Sequence, residues 1–223
     1  MFIQRITRTA TPGKARDFRT LLEERTRALQ GDGFSTSLAT EVYGQYGGTF
    51  IASALAEDMA TLETLRDRVL GDSHYQATSA KMSALEIAPP RFDLYEIVVP
   101  SPRPTPGRFV QRVSFHPSIG RGRDVRALLE EQVRTRQAAG IALMLGERVY
   151  GADDAGYLLW ISVDRMADIQ ALRDRNSSDA NFIAFQAKLA PLLASEPRMT
   201  LAEMLVVAAP AQAGLALAGA ARR

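Results

Sequence analysis

The hydrophobic and polar positions of the chain follow two periods, and these predict strands and helices. Residues 2–8 are short, β-branched and aromatic, which is typical of a strand. After a Pro-Gly turn, residues 15–30 repeat apolar side chains at the spacing of one helical face, namely Phe18, Leu21, Leu22 and Leu29. Gly33 follows this helix, where a C-cap residue in the left-handed conformation is expected.

The rest of this half of the chain predicts a hairpin, a second helical region and a last strand. The predicted boundaries are a second strand to Tyr43, a turn at Gly47-Gly48, a third strand over 49–55, helical segments over 59–69 and 72–85, and a last strand over 92–99. Asp72 is expected to cap the second of these helical segments. The order β-α-β-β-α-β is that of a ferredoxin-like unit.

The whole pattern returns at a constant offset of 107 residues. Phe2-Ile3-Gln4-Arg5 is repeated as Phe109-Val110-Gln111-Arg112, and Leu65-Arg66-Asp67-Arg68 as Leu172-Arg173-Asp174-Arg175. Roughly a third of the paired positions are identical without a gap, which indicates two copies of one small domain. The predicted division is 1–99 for the first repeat, 100–108 for a Pro-rich linker, 109–207 for the second repeat and 208–223 for a flexible Ala-rich tail.

Composition narrows the class of protein but names no function. The net charge is +2, and arginines are mixed with acidic residues along the predicted helices, so we expect no nucleic-acid partner. The absence of cysteine excludes disulfides and thiolate chemistry and suits the cytoplasm, where we place the protein. The N-terminus lacks the pattern of a signal peptide, and the apolar end is shorter than the ~20 residues of a membrane span, so we expect no membrane contact.

Two segments carry a resemblance to a known group of proteins. Thr11-Pro12-Gly13-Lys14 before the first helix and Asp72-Ser73-His74-Tyr75-Gln76 in the second helical region resemble the dimeric α+β barrel superfamily, closest to its NIPSNAP-like and antibiotic-biosynthesis-monooxygenase-like members. In that superfamily two ferredoxin-like units place their sheets face to face around a pocket. The resemblance implies an α+β fold with two tandem ferredoxin-like (βαββαβ) units packed sheet to sheet, an intramolecular α+β barrel pseudo-dimer. Homo-oligomerisation through leftover sheet edges stays open.

Strand alternation divides the first strand of each copy into two faces. One face holds apolar residues that we assign to the helix-packed core: Phe2, Ile6, Phe109, Val113 and Phe115. The other face is polar and should line the pocket: Arg5, Thr7, Arg112, Ser114 and His116. Arg5 and Arg112 are equivalent in the two copies and could bind an anionic or enolate oxygen bidentately. The alternative is that they pair with carboxylates of neighbouring strands, of which Asp93, Glu96 and Glu203 are the candidates.

The remaining candidate site residues are two histidines and three aromatic residues. His116 or His74 could act as a general base, although a strand end or a helix-capping position would leave either one merely on the surface. Trp160 replaces Ser53 of the first copy and could stack on a flat ligand or pack in a core. Because the copies differ here, we expect one ligand per chain, nearer Trp160 than Ser53. Tyr43 and Tyr150 could wall a pocket or cap a core.

The sequence predicts no metal and no cofactor. The two histidines are 42 positions apart (116 − 74) and lack the spacing of metal ligands. Some haem-degrading relatives use an Asn, Trp and His constellation, but Asn181, Trp160 and His74 do not clearly match it. Phosphate-binding glycine motifs are also missing.

Two functions remain open at this point. The first is a cofactor-independent monooxygenase or related enzyme for a hydrophobic aromatic or polyketide-like small molecule. In it, His116 or His74 would be the base, Arg5 and Arg112 would stabilise the anion, and Trp160 and Tyr150 would shape the site. The second is a non-catalytic ligand-binding or stress-related protein. A barrel interior filled by side chains would count against the enzyme.

Overall fold

The elements of the protein follow the predicted order twice. The computed structural model describes residues 1–43, 48–103, 105–151 and 156–208. The first set is β1 (Phe2–Thr9), α1 (Ala15–Gly31), β2 (Ser35–Glu41), β3 (Thr49–Ala56), α2 (Met59–Gly71), α3 (Ser73–Ser83) and β4 (Arg91–Val99). The second set is β5 (Phe109–Phe115), α4 (Gly122–Ala138), β6 (Leu143–Gly151), β7 (Tyr157–Val163), α5 (Met166–Ser178), α6 (Ala180–Leu189), a short 3₁₀-helix (Ala190–Leu192) and β8 (Arg198–Val206).

Local sequence signals explain where the helices begin and end. Gly33 and Gly140 have φ angles of +91° and +82°, the left-handed conformation predicted after the first helix of each copy. The Asp72 carboxylate accepts a hydrogen bond from the N–H of His74 at 2.8 Å, and Asp179 accepts one from Asn181 at 2.9 Å. The predicted cap of α3 is therefore confirmed, and Asp179 caps α6 in the same way. Of the predicted hairpin turn, Gly47 lies outside the described residues.

The eight strands form one closed antiparallel barrel in the order β1-β3-β2-β8-β5-β7-β6-β4. The pairs β2–β8 and β4–β6 join the two sets of elements, so neither half of the barrel closes by itself. In this order β1 and β5 lie on opposite walls, as a pseudo-twofold arrangement requires. The predicted α+β fold and intramolecular barrel are confirmed.

Barrel closure bears on the homo-oligomerisation through sheet edges that the sequence left open. Each of the eight described strands already has two hydrogen-bonded neighbours. The leftover sheet edges through which we allowed homo-oligomerisation are therefore used up within the chain, because a closed barrel has no edge strand.

The helices cover the outside of the barrel, and each set of elements forms its own hydrophobic cluster between its helices and the outer face of the sheet. In the first set, Phe18 and Leu22 of α1 pack with Leu38 and Phe50 of the sheet. In the second, α4 contributes a buried row to a larger cluster, namely Val125, Leu129 and Val133. Phe109 and Phe115 belong to that outer cluster, as their side of the strand predicted. A third cluster, which we call the interior apolar cluster, fills part of the barrel: Ile3, Tyr95, Ile97, Val110, Leu158 and Trp160.

The linker lies against the second half of the molecule. The carbonyl of Pro100 accepts a hydrogen bond from Gln137 at 2.8 Å, and Arg103 pairs with Asp164 at 3.3 Å. The N–H of Gly107 donates to the hydroxyl of Ser162. Of the predicted tail, residues 209–223 lie outside the described residues. Within the described part of the chain, no helix combines the length and apolar character that crossing a membrane requires.

Candidate functional site

Strand alternation brings Arg5 and Arg112 into the barrel from opposite walls. In the sheet, Arg5 of β1 lies opposite Ser53 on one side and Asp93 on the other. Arg112 of β5 lies opposite Trp160 and Thr200. Both arginines are buried, with 7% and 5% of their surface exposed. Because a charge is costly to remove from water, each guanidinium needs a partner inside the barrel.

Arg112 has such a partner in Glu41, the last residue of β2. The Nη2 atom of Arg112 lies 3.0 Å from the Oε1 atom of Glu41. Burial, followed by the positive charge of nearby Arg5, lowers the pKa of Arg112 to about 10, while Glu41 acts in the opposite direction. Glu41 was not among the candidate partners in the sequence analysis. Glu203, which was, pairs instead with Arg108 at 2.8 Å.

Arg5 is in a different situation. Its guanidinium carbon lies 5.8 Å from the centre of the Tyr95 ring, a cation–π contact. Within the described residues the Arg5 side chain makes no hydrogen bond and has no carboxylate within 4.0 Å. Its Nε atom is fully enclosed without a hydrogen-bond partner, as is the Nε atom of Arg112. Asp93, its neighbour across the strand pair, is buried and turns its Oδ1 atom toward Gly151. Arg5 is thus a buried cation that the described protein groups do not neutralise by contact.

The aromatic residues beside the arginines are packed tightly. Tyr95 is fully buried and meets Trp160 edge to face, with 5.6 Å between ring centres. A side chain added at Gly146 would come within 2.8 Å of the Trp160 ring, so β6 needs a glycine there. Trp160 therefore packs in a core, which is one of the two alternatives that the sequence left open. Side chains fill this part of the interior.

The other candidate residues lie in different places. His116 follows the last residue of β5 and is 8% exposed, while its carbonyl accepts a hydrogen bond from Ala194 at 2.7 Å. His74 is exposed at the start of α3, on the outer helix layer, and so lies away from the arginines. Tyr43 and Tyr150 are 78% and 74% exposed near the ends of β2 and β6. Since neighbouring strands are antiparallel, the carboxyl ends of β1, β2, β5 and β6 share one rim of the barrel, which we call the carboxyl rim.

A shallow cavity of about 180 Å³ opens beside the Arg112–Glu41 pair. It is lined by Glu41, Tyr43, Gln111, Met199, Thr200 and Leu201. A second cavity, of about 290 Å³, lies outside the barrel between the linker and α5. In the described ranges no group of three histidine or acidic side chains is placed to hold a metal ion.

Sequence reasoning missed three interior residues, Glu41, Tyr95 and Arg148. Arg148 is half-buried on the interior side of β6, two positions beyond Gly146, and lies opposite Tyr95 in the β4–β6 pair. A signal for two of them was present, since the offset of 107 aligns Glu41 with Arg148 and so pairs opposite charges on equivalent strands. Register across strands could not be read from the sequence, so their relation to Arg5 and Arg112 was hidden.

Comparison with solved structures identifies the fold. A candidate monooxygenase from Fusobacterium nucleatum matches with a TM-score of 0.72 at 9% identity, over 93% of each chain. A candidate monooxygenase from Lactobacillus acidophilus matches with 0.68 at 11% identity, over 94% of this chain and 96% of that one. An anthrone oxidase-like protein matches with 0.65 at 14% identity, over 97% and 96%. Comparisons with family models and with curated proteins found no match. The protein therefore has the fold of these candidate monooxygenases and of the anthrone oxidase-like protein, an α+β barrel with both halves supplied by one chain.

Proposed function

We propose that the protein binds a small organic anion inside the barrel, at buried Arg5, which faces Arg112 from the opposite wall. One observation carries this proposal: among the described residues, Glu41 is the only carboxylate in ion-pair contact with either buried guanidinium, and it pairs with Arg112 and not with Arg5. An uncompensated buried charge costs several kcal/mol, so a protein keeps one where it serves a purpose. A carboxylate or enolate oxygen would supply the missing charge and the missing acceptors.

The neighbours of Arg5 favour a ligand with an apolar body. Tyr95 and the interior apolar cluster adjoin the guanidinium, so the part of the ligand beyond its charged group would meet aromatic and aliphatic side chains. Because this cluster is already packed, a compact ligand is better accommodated than a large polyketide. The filled cluster thus favours the binding function over turnover of a bulky substrate.

Cofactor-independent oxygenation is the second candidate function, favoured by the whole-chain fold likeness to candidate monooxygenases and an anthrone oxidase-like protein. In such a reaction a base removes a proton from a methylene group beside a carbonyl, and the enolate is stabilised by a cation. One O₂ then converts the methylene to a carbonyl, with the second oxygen atom leaving as water. We assign the stabilising role to the buried residues Arg5 and Arg112, and the role of the base to buried His116 at the carboxyl rim. His74 is exposed on the outer layer and takes no part.

Titration calorimetry with benzoate tests the binding function, and benzamide serves as the uncharged control. We expect benzoate to bind the wild type with one site per chain and benzamide to bind far more weakly. Arg5→Met should weaken benzoate binding by roughly 10- to 100-fold, the worth of a hydrogen bond to a charged group. Arg27→Met, a change on the exposed face of α1, is the matched control and should leave binding unchanged. Equal binding of benzoate and benzamide, or full binding by Arg5→Met, would refute the proposal.

Oxygen uptake with an anthrone as substrate separates the two candidate functions. Turnover that depends on Arg5 and is lost in His116→Asn would establish the enzyme. Benzoate binding without oxygen uptake above the uncatalysed rate would leave the non-catalytic binding protein as the function.

A further inference from the structure

The two arginines are equivalent in the repeat, but their surroundings inside the barrel are not. Arg112 of β5 pairs with Glu41 of β2, and these two strands flank β8. The pseudo-twofold counterpart of this arrangement is Arg5 of β1 with position 148 of β6, and these strands flank β4. The offset of 107 places Arg148 where the first copy has Glu41. Where symmetry would put a carboxylate beside Arg5, the chain therefore has a second arginine.

We propose that the ligand's anionic group binds between Arg5 and Arg148, in the place that the carboxylate of a glutamate occupies beside Arg112. This inference rests on the proposed binding function and names the side of the barrel and the class of ligand. Neither arginine forms a side-chain ion pair with the described residues, whereas Arg112 already has Glu41.

The charges on this side of the barrel determine the charge of the ligand. Among the described residues, the strand register brings three charged residues to this side of the barrel: Arg5, Arg148 and buried Asp93, with no Asp93 oxygen atom within 4.0 Å of an Arg5 nitrogen atom. Their sum is +1, from two cations and one anion. On the other side, Arg112 and Glu41 sum to zero. A single monoanion restores neutrality, so the ligand is a monocarboxylate or enolate, one per chain.

Reversing the charge of one residue tests this inference. Arg148→Glu should place a carboxylate beside Arg5 and rebuild the pair seen at Arg112, and it should weaken benzoate binding by roughly 100-fold because the site is then filled. The same variant should unfold at a higher urea concentration than the wild type in buffer without carboxylates, since Arg5 gains a partner. Arg173→Glu makes the same charge change on the exposed surface of α5 and should alter neither quantity.

The results separate this inference from the function on which it rests. If the wild type fails to bind benzoate, both are wrong. Suppose that Arg5→Met loses benzoate binding but Arg148→Glu and Arg148→Gln bind benzoate like the wild type. The barrel then binds anions, and the proposed part of Arg148 in the site is wrong. Should Arg148→Glu fail to fold, as judged by circular dichroism, Arg148→Gln decides: it must weaken binding by about tenfold or more, through loss of one charged donor.

Discussion

At the scale of single residues, Arg5 lies in surroundings that do not suit a charged side chain. A guanidinium that is 7% exposed and has no described carboxylate within 4.0 Å lowers the stability of the protein when no ligand is bound. The equivalent Arg112 does have a carboxylate partner, since Glu41 lies 3.0 Å from it. We therefore attribute the difference between these two equivalent arginines to the proposed anion binding rather than to folding.

Replacing Arg5 by Met should stabilise the empty protein. Met fills a similar volume without a charge, so we expect the free energy of unfolding to rise by about 1–3 kcal/mol. Urea unfolding followed by circular dichroism, in buffer without carboxylates or phosphate, measures this. A fall in stability would mean that Arg5 is satisfied within the chain, and the argument for an anion would lose its basis.

Trp160 and Ser53 are equivalent in sequence but should differ widely in their contribution to stability. Trp160 is 8% exposed and packs against Tyr95 and Gly146, so Trp160→Ala should cost about 3–5 kcal/mol of unfolding free energy. Ser53→Ala should change it by less than about 0.5 kcal/mol, as for a substitution that creates no large cavity. Comparable values for the two variants, again from urea unfolding, would show that the ring does not form part of the packed interior.

At the scale of elements, the two copies use the same capping residue in different surroundings. Asp72 and Asp179 each accept a backbone hydrogen bond at the start of the last helix of their copy. Asp72 also pairs with Arg68, whose side chain is 46% exposed, whereas Asp179 pairs with Arg136, whose side chain is 8% exposed. Only the second ion pair contains a buried arginine. The two equivalent aspartates should therefore contribute unequally to the free energy of unfolding.

Removing each of these caps should reveal that inequality. Asp72→Ala should cost about 1 kcal/mol, the usual worth of an N-cap. Asp179→Ala should cost about 3 kcal/mol, because Arg136 is left buried without its carboxylate. Thermal unfolding of both variants beside the wild type provides the measurement. The double variant Asp179→Ala with Arg136→Leu is the control, and it should recover most of the loss.

At the scale of the whole molecule, we propose that residues 1–99 and 109–207 unfold together despite their repeated sequence. The interior apolar cluster draws Ile3, Tyr95 and Ile97 from the first set of elements and Val110, Leu158 and Trp160 from the second. The β2–β8 and β4–β6 pairs also cross between the sets. Neither half can therefore lose its sheet without exposing the interior of the other.

Equilibrium unfolding should accordingly follow a single transition. Trp160 is the only tryptophan of the chain and lies in the shared interior, so its fluorescence reports on contact between the halves. We expect the fluorescence curve and the far-ultraviolet circular dichroism curve in urea to coincide. Separate midpoints, with fluorescence changing first, would mean that each half keeps its own secondary structure after the barrel opens.

Much of the architecture was predictable because it depends on local signals present twice. The helical faces of Phe18 and Val125, the left-handed Gly33 and Gly140, and the Asp72 and Asp179 caps each depend on residues close together in the chain. Strand alternation also assigned Arg5 and Arg112 to the inner face. The sheet closure was not local, because β2–β8 and β4–β6 pair residues far apart in sequence, so the sequence left open whether any sheet edge stays free.

The sequence by itself determined the strands, the helices, the repeat and the polar face on which the arginines lie, since each follows from spacing along the chain. Only the tertiary structure decided which charges meet, because Arg112 and Glu41 are 71 positions apart and come together through barrel closure. It also showed that β1 and β6 flank β4 as β5 and β2 flank β8, so that Arg148 occupies on β6 the position that Glu41 occupies on β2. Electrostatic energy depends on distance and burial, and neither exists until the barrel has closed.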